Sequence, residues 1–565
     1  MFRAGTALAA SGMLCTSGVM AGGNIVYTTI AANGMTSPVT GGVYTSVLGW
    51  PGNKAAGSAT FVGVTEAGPG GPGGAGLWRV GTTNSQLLLM IGQSTPYGPG
   101  TTWTNFSQPV VNRRGAAIFS AIVDGGGGTF LFSSGSGLAE VITLQNDPNQ
   151  AGLPTMYTLY HPGAVAINDD DLVAFVSRTE SVPGKQVIVV VDPSTGVYDL
   201  RAVQFDMVSP TSGLDFEHFS GPGINSRGDV AFHAMFYKYP YEGFYGRRQG
   251  GEFETVLEFG QPAPGFAEGL TIGRLYRYTP HHWGYSGPPA FNDHGVFAVS
   301  AQVWNGPWNV VCAALWRGKP GAFQLVARGG DPAPGATPGA MFHDFLARIN
   351  RAGVICAESY LGTAQFASGG NGIWTFGLDG QPRLVALTQM PAPDMPGWVF
   401  PSIGPLKHAF NNRAEVLVFP TVRETASGAT KAAIFAGRAG RLRKVVGVGD
   451  VLEITPGVHR TVSSLSCWTG NGPDMGQETS LNDRGEVTFS CNLVGGGSAV
   501  IRAQLPHPCP GDANCDDRVD FLDLNHVLGD FGRSGPEFIE GDVNSDGAVD
   551  FLDLNWVLSG FGSAC

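Results

Sequence analysis

Seven copies of one short pattern divide most of this chain into units of similar length. Each copy is an apolar residue, Asn, two variable residues, usually Gly, and then an alternating apolar stretch. The copies begin at Val111-Asn112, Ile167-Asn168, Ile224-Asn225, Phe291-Asn292, Ile349-Asn350, Phe410-Asn411 and Leu481-Asn482, with successive Asn residues 56, 57, 67, 58, 61 and 71 positions apart. A degenerate eighth copy is read at Asn53, ahead of SATFVGV. Asn tolerates turn geometry and bonds its own backbone two residues on, and Gly supplies positive φ. The alternating residues that follow favour a strand, so each copy reads as a hairpin. The pattern could also be a ligand site repeated around a ring, but Asn-x-x-Gly is ordinary hairpin punctuation.

Each unit has room for further strands, such as GIWTFGL (372–378) and PRLVALT (382–388). A second punctuation mark follows some of them, as in Gln261-Pro262-Ala263-Pro264-Gly265, Asp331-Pro332-Ala333-Pro334-Gly335 and Met390-Pro391-Ala392-Pro393. These prolines cannot donate to a ladder and belong in loops. About four strands per unit of about 60 residues is the spacing of a β-propeller blade. A β-solenoid would need a shorter, stricter period, and the unit is small for a sandwich domain. The fold expected is an all-β body over 22–506, a seven- or eight-bladed propeller, with eight blades if Asn53 counts. NIVYTTIA and GVYTSVL near the N-terminus are expected to supply two strands that close the last blade. The repeat resembles that of uncharacterised secreted bacterial β-propeller-like proteins, a resemblance that implies no activity.

Composition agrees. Gly and Pro number 85 and 38 in 565 residues, about 22%, without the period of collagen, and 43% of residues are hydrophobic. Residues 1–21 read as a secretory signal: Arg3 is followed by a small, apolar stretch and a Val19-Met20-Ala21 cleavage site. No later segment offers about 18 uninterrupted apolar residues, so no transmembrane helix is expected in the mature chain. The seven cysteines beyond the signal include no C-x-x-C pair. Cys467 with Cys491, and Cys509 with Cys565, are plausible disulfides, with Cys515 competing for the second.

The charge is unevenly placed. Of a net −12, residues 509–565 carry 12 acidic and 2 basic side chains, or −10, which leaves −2 for the rest. An acidic chain is a poor partner for nucleic acid or an anionic membrane. The acidic tail contains one unit twice, 30 positions apart, with Phe521–Gly532 aligned on Phe551–Gly562. Ahead of each segment lie Asp512, Asn514, Asp516, Asp520 and Asp523, and then Asp542, Asn544, Asp546, Asp550 and Asp553. These are places 1, 3, 5, 9 and 12 of a calcium loop, and Arg518 and Ala548 occupy place 7, which gives a backbone carbonyl. Gly547 suits the sharp turn at place 6, whereas the first loop has Asp517 there. Calcium takes six to eight oxygens, so such spacing suits it, and two ions would bring the tail from −10 to about −6. Each loop runs into a short amphipathic helix that Gly532 or Gly562 can end.

A duplicated calcium loop with only its exiting helix resembles the dockerin domain, type I-like with a duplicated F-hand loop, over about 55 residues (507–565 as a domain). That resemblance implies a small helical module with two Ca2+ ions that docks onto a cohesin-like domain, often tethering secreted polysaccharide-degrading enzymes. It also implies two binding orientations related by a pseudo-twofold axis. Loop places 10 and 11, hydroxyl residues at the contact in the best-known dockerins, are here Phe521-Leu522 and Phe551-Leu552. These apolar pairs are candidate partner-binding residues, candidate core, or a contact with another part of the chain.

No catalytic motif was found, and the catalytic residues are unknown. There is no G-x-S-x-G, H-E-x-x-H or phosphate loop. His281-His282 beside Trp283 is weak evidence for a metal or sugar site. Asp169-Asp170-Asp171 reads as a solvated turn, and Trp304, Trp308 and Trp316 as buried strand aromatics. Two functions are expected. One is a secreted, non-catalytic binding or structural body docked through its tail. The other is an extracellular carbohydrate-active enzyme, a glycoside hydrolase or polysaccharide lyase, with polysaccharide as a second partner class.

Overall fold

In the computed structural model, each Asn motif forms the turn between the first and second strands of a four-stranded antiparallel sheet. The structure describes residues 25–563 except 53–57, 70–72, 82–84, 96–99, 108, 125–127, 134–139, 145–155, 159–164, 180–184, 237–241, 276–288, 308, 363–366, 404–407, 470–473, 477–478, 507–508, 515–517, 536–538 and 545–546. The signal, Asn53, the His281-His282-Trp283 run and Trp308 lie outside the described residues. SATFVGV is a strand, Ser58–Thr65.

Eight sheets follow one another along the chain, and each is a blade. Blade one runs through Tyr44–Gly52, Ser58–Thr65, Gly74–Gly81 and Ser85–Met90. Blade six runs through Met341–Phe342 with Leu346–Ile349, then Ile355–Gly362, Ala367–Phe376 and Pro382–Leu387. The first strand is split in the same way in blades two to seven, as in Thr271–Leu275 with Ala290–Phe291 of blade five.

Closure differs in one respect from the sequence expectation. Val26–Ala32 pairs antiparallel with Ser498–Gln504 and completes blade eight, but GVYTSVL opens blade one. One borrowed strand is enough, because blade eight already owns Val458–Ser466, Glu486–Leu493 and Ser498–Gln504. Its first strand precedes the Asn turn, whereas the sequence reading counted strands only after it.

The turns share one backbone geometry. The fifth residue of each motif has φ between +55° and +85°: Gly115, Asp171, Gly228, Gly295, Gly353, Ala414 and Gly485. Five are Gly, which adopts this region without a Cβ clash, while Asp171 and Ala414 adopt it at a cost. The proline runs lie where expected, between the last strand of one blade and the first of the next. The carbonyls of Pro264 and Pro334 accept from the indoles of Trp316 and Trp374 in the following blade, at 2.8 and 2.9 Å. Both indoles are fully buried, as is Trp304 nearly so. Apolar clusters fill the spaces between blades. One combines Val176 and Ile188 of blade three with Phe216, Phe219, Phe232 and Tyr245 of blade four, and each large side chain buried there contributes about 1.5–3 kcal/mol.

Cys467 and Cys491 are buried free thiols in the blade-eight core, not a disulfide. Cys509 is disulfide-bonded, and its partner lies outside the described residues. Two helices follow the body, α1 (Phe521–Asp530) and α2 (Phe551–Gly560). Their core is a separate small cluster of Cys509, Ala513, Val519, Val527, Ile539, Val543, Val549 and Val557. No helix among the described residues is long and apolar enough to cross a membrane.

Candidate functional site

On the body, the Asn motif does more than turn the chain. Each motif Asn keeps the local role, its Oδ1 accepting from the amide four residues on and, in five of the seven, also from the amide two residues on, as Asn292 does from Val296 and His294. Its Nδ2 then donates to a backbone carbonyl of the next motif. Asn112 reaches Asn168, Asn168 reaches Asn225, Asn225 reaches Asn292, Asn292 reaches Asn350, Asn350 reaches Asn412 and Asn411 reaches Asn482, over 2.8–3.4 Å. All these Asn residues are buried. The motif is therefore turn chemistry, as expected, joined to a hydrogen-bonded belt that the sequence reading missed.

A second belt uses the next residue of each motif. The amides of Arg113, Ser226, Arg351 and Asn412 donate to side-chain oxygens of Asp169, Asp293, Asn412 and Asp483, at 2.7–3.0 Å. Side chains on this belt meet in a buried ionic cluster. Arg113 binds Asp169 at 2.6 Å, Asp474 at 2.6 Å and Asp483 at 2.8 Å, with Asp293 4.0 Å away. Arg351 also pairs with Asp293. These four carboxylates hold the Arg113 guanidinium charged against the opposing effect of burial. Asp474 comes from a segment inserted between Val458–Ser466 and the blade-eight Asn turn. The same insertion gives its Met475 and Gly476 carbonyls to the amides of Ile224 and Ile167, in blades four and three. Asp474 also accepts from the Asp293 amide of blade five and from Asn412 Nδ2 of blade seven, so the insertion bolts blades two, three, four, five, seven and eight together. The Asp169-Asp170-Asp171 expectation is corrected in part. Asp170 is exposed, but Asp169 is buried on Arg113 and Asp171 accepts from Asn112 at 2.7 Å.

Other buried ionisable groups also link neighbouring elements. Glu242 takes His233 Nε2 at 3.1 Å and the Leu275 amide of the next blade at 3.0 Å. Arg348 donates to His408 Nε2 at 3.1 Å, and burial, then the Arg348 charge, hold His408 neutral, well below its usual range. No group of three His, Cys, Asp or Glu among the described residues is placed to hold a metal ion.

In the C-terminal module the two halves repeat closely. Asp520 and Asp550 cap α1 and α2, accepting from Leu522 and Leu552 at 2.8 and 2.7 Å. Asp523 and Asp553 complete capping boxes, accepting from Asp520 and Asp550 amides at 2.8 and 2.9 Å. Their second oxygens accept from the Asn514 and Asn544 amides, both at 3.1 Å. Places 3, 9 and 12 of each loop are thus drawn together, with the place-12 carboxylates fully buried. The Ala548 backbone at place 7 forms a bridge to Ser534, and Arg518 is exposed. Asp542 at place 1 accepts from the Gly547 amide at 2.9 Å, while Asp512 is buried on Arg438 of blade seven. Asp516 and Asp546 lie outside the described residues.

Phe521, Leu522, Phe551 and Leu552 are not core: they are 70, 55, 70 and 55% exposed. The end of each helix extends this surface. Phe561 packs edge-on against Phe521, and Phe531 against Phe551, at 4.9 and 5.2 Å between ring centres. Leu528 and Leu558 are also exposed. The result is two matching apolar patches on a module of 59 residues, each built from the start of one helix and the end of the other.

Among solved structures, the chain is similar to an oligogalacturonate lyase in complex with manganese (11% identity, 86% of this chain and 99% of that one, TM-score 0.33). It is similar also to the propeller domain of the Trilobed protease from Pyrococcus furiosus (9%, 72% and 99%, TM-score 0.36). A third is the polysaccharide lyase Uly1 (9%, 74% and 90%, TM-score 0.32). No curated protein matches the sequence. A family model matches residues 2–188, 185–389 and 368–508, the whole propeller and none of the module beyond it. The chain belongs to that family, a family of unknown function (DUF7453).

Proposed function

We propose that residues 507–565 are a dockerin-like module that binds two Ca2+ ions and docks the protein onto a cohesin-like partner outside the cell, the propeller serving as a non-catalytic binding or structural body. The observation that carries this reading is the pair of matching patches around Phe521-Leu522 and Phe551-Leu552. Exposed Phe is costly in solution, and patches that recur by internal symmetry suit a partner that can be met in two orientations.

The donor set suits calcium. The side chains at places 1, 3, 9 and 12 offer oxygen and no sulfur or imidazole. Asp512, Asn514, Asp516, Asp520 and Asp523, with the Arg518 carbonyl, would hold one ion. Asp542, Asn544, Asp546, Asp550 and Asp553, with the Ala548 carbonyl, would hold the other. Calcium would supply the positive charge that lets so many carboxylates share a small module. The axial carboxylates, by contrast, are already bound by Arg113 and Arg351 below the surface, so they do not support the carbohydrate-active alternative.

Calorimetric titration of the full chain with calcium is expected to find two sites, and Asp523→Ala with Asp553→Ala to abolish both. Replacing Phe521, Leu522, Phe551 and Leu552 by Ser is expected to leave calcium binding intact and abolish binding to a cohesin-like domain. No calcium binding at millimolar concentration would refute the module's assignment, and unchanged cohesin binding in the Ser variant would refute the docking face.

A further inference from the structure

The two halves of the module differ where the first loop meets the propeller. In the second loop, Asp542 Oδ2 accepts from the loop's own Gly547 amide at 2.9 Å. In the first, Asp512 Oδ2 accepts from Arg438 Nη1 at 2.6 Å, with both side chains buried. Arg438 stands in the turn after the blade-seven strand Thr430–Gly437 and is itself anchored, its Nε donating to the Arg413 carbonyl at 2.8 Å. The place-1 carboxylate of the first loop is thus bound to an arginine of the body.

The rest of this face is also cationic toward the module. The Arg484 guanidinium lies against Gly547 so closely that a Cβ there would meet Nη2 at 2.5 Å. Arg484 belongs to the blade-eight Asn-motif turn, so the module sits against the end of the ring that carries that turn. A segment of net −10 rests on Arg438 and Arg484.

We infer that this face of the propeller is the seat of the chain's own C-terminal module, and that the Arg438–Asp512 pair is a latch which calcium in the first loop opens. The inference rests on the calcium reading above. A calcium ion in the first loop takes Asp512 as its place-1 ligand, and a divalent charge beside Asp512 repels the Arg438 guanidinium and competes for its acceptor. Seating therefore weakens calcium binding at the first loop, and by reciprocity calcium in that loop weakens seating by the same factor. Arg438 meets Asp512 of the first loop, so the coupling falls mainly on that loop. Calcium would then both shape the module and free it to meet a partner.

The test uses the full chain with calcium as the probe. In Arg438→Gln, one of the two calcium affinities is expected to tighten by about tenfold, within the usual range of coupling between sites, while the other stays put. In the unmodified protein, saturating calcium is expected to speed amide hydrogen exchange in the Arg438 turn and in residues 509–514. That second measurement needs no substitution, so an unstable variant does not remove the test. Calcium binding with equal affinities in both proteins, or slower exchange at the seat with calcium, overturns the latch and leaves the calcium reading standing. No calcium binding to either protein overturns both.

Discussion

Replacing Arg113 by Met tests whether the axial cluster is the bolt of the ring. The cluster holds two guanidinium groups, Arg113 and Arg351, and four carboxylates, Asp169, Asp293, Asp474 and Asp483, a count of −2. Met fills similar volume but takes the count to −3 and leaves three carboxylates without their closest donor. Breaking a buried ion pair from one side costs about 3–5 kcal/mol, because the remaining charge stays buried. Removing an acid acts in the other direction. Asp474→Asn takes the count to −1 and keeps an oxygen for the Asp293 amide, which Asp474 accepts at 3.3 Å. Its cost should be that of weakened hydrogen bonds, about 1 kcal/mol. The assay is urea unfolding followed by tryptophan fluorescence, or the unfolding rate in fixed urea if the transition is irreversible. A loss below about 1 kcal/mol for Arg113→Met, or a loss in Asp474→Asn as large as that in Arg113→Met, would refute the charge-count argument. The double variant Arg113→Met, Asp474→Leu should recover part of the single loss, since an apolar pair can replace a buried ion pair at little net cost.

Ala414→Gly should stabilise the body by up to about 1 kcal/mol: Ala414 alone among the motif turns puts an apolar Cβ at positive φ (+55°), and the relief exceeds the extra entropy of Gly only modestly. A loss of stability in the same urea assay would mean that the Ala414 methyl packs better than its backbone is strained. The His526–Glu540 pair, 2.8 Å apart, predicts a pH window for the module. Glu540, with Asp523 and Asp530 nearby, raises His526 above its usual 6.5, so its contribution is full below 6.5 and fades as pH rises through the raised value. Glu540 is lowered from 4.5, so its contribution is full above 4.5 and fades as pH falls through the lowered value. The fold of the module should therefore be firmest between pH 4.5 and 6.5 in calcium-free buffer. Hydrogen exchange of residues 509–514 measured across pH, after correction for intrinsic rates, checks this, and an unchanged profile in His526→Ala would contradict it.

What could be read from the sequence was whatever repeats with the chain. The Asn turn was legible because Asn292 bonds amides only two and four residues away, and the hairpin strands because their apolar residues alternate. The cross-blade half of the same side chain was not, since its acceptor lies 58 residues on and nothing local marks it. The spacing left seven or eight blades open and the structure has eight, while the closing strands escaped because each blade's first strand lies before its Asn. In the tail, the spacing that suggests calcium ligands also describes capping boxes. Asp520 and Asp523 serve the helix start and draw the loop inward with the same oxygens.

The features that escaped are those that break the repeat. Arg113 stands where the other motifs, Arg351 apart, have Asp, Ser or Asn, and its partners lie 56, 361 and 370 positions away. Asp512 has an exact counterpart in Asp542 by sequence, and nothing local marks that it meets an arginine 74 positions back. A ring of like blades offers like surfaces all round, and a duplicated module offers two like faces. Neither can fix an orientation by itself. One bolt across the ring and one latch between ring and module do so, each through contacts made at particular copies of the repeat. The individuality of this chain within a repetitive architecture therefore lies at Arg113, Asp474, Arg438 and Asp512, and substitutions there should alter assembly more than equal changes at any repeated position.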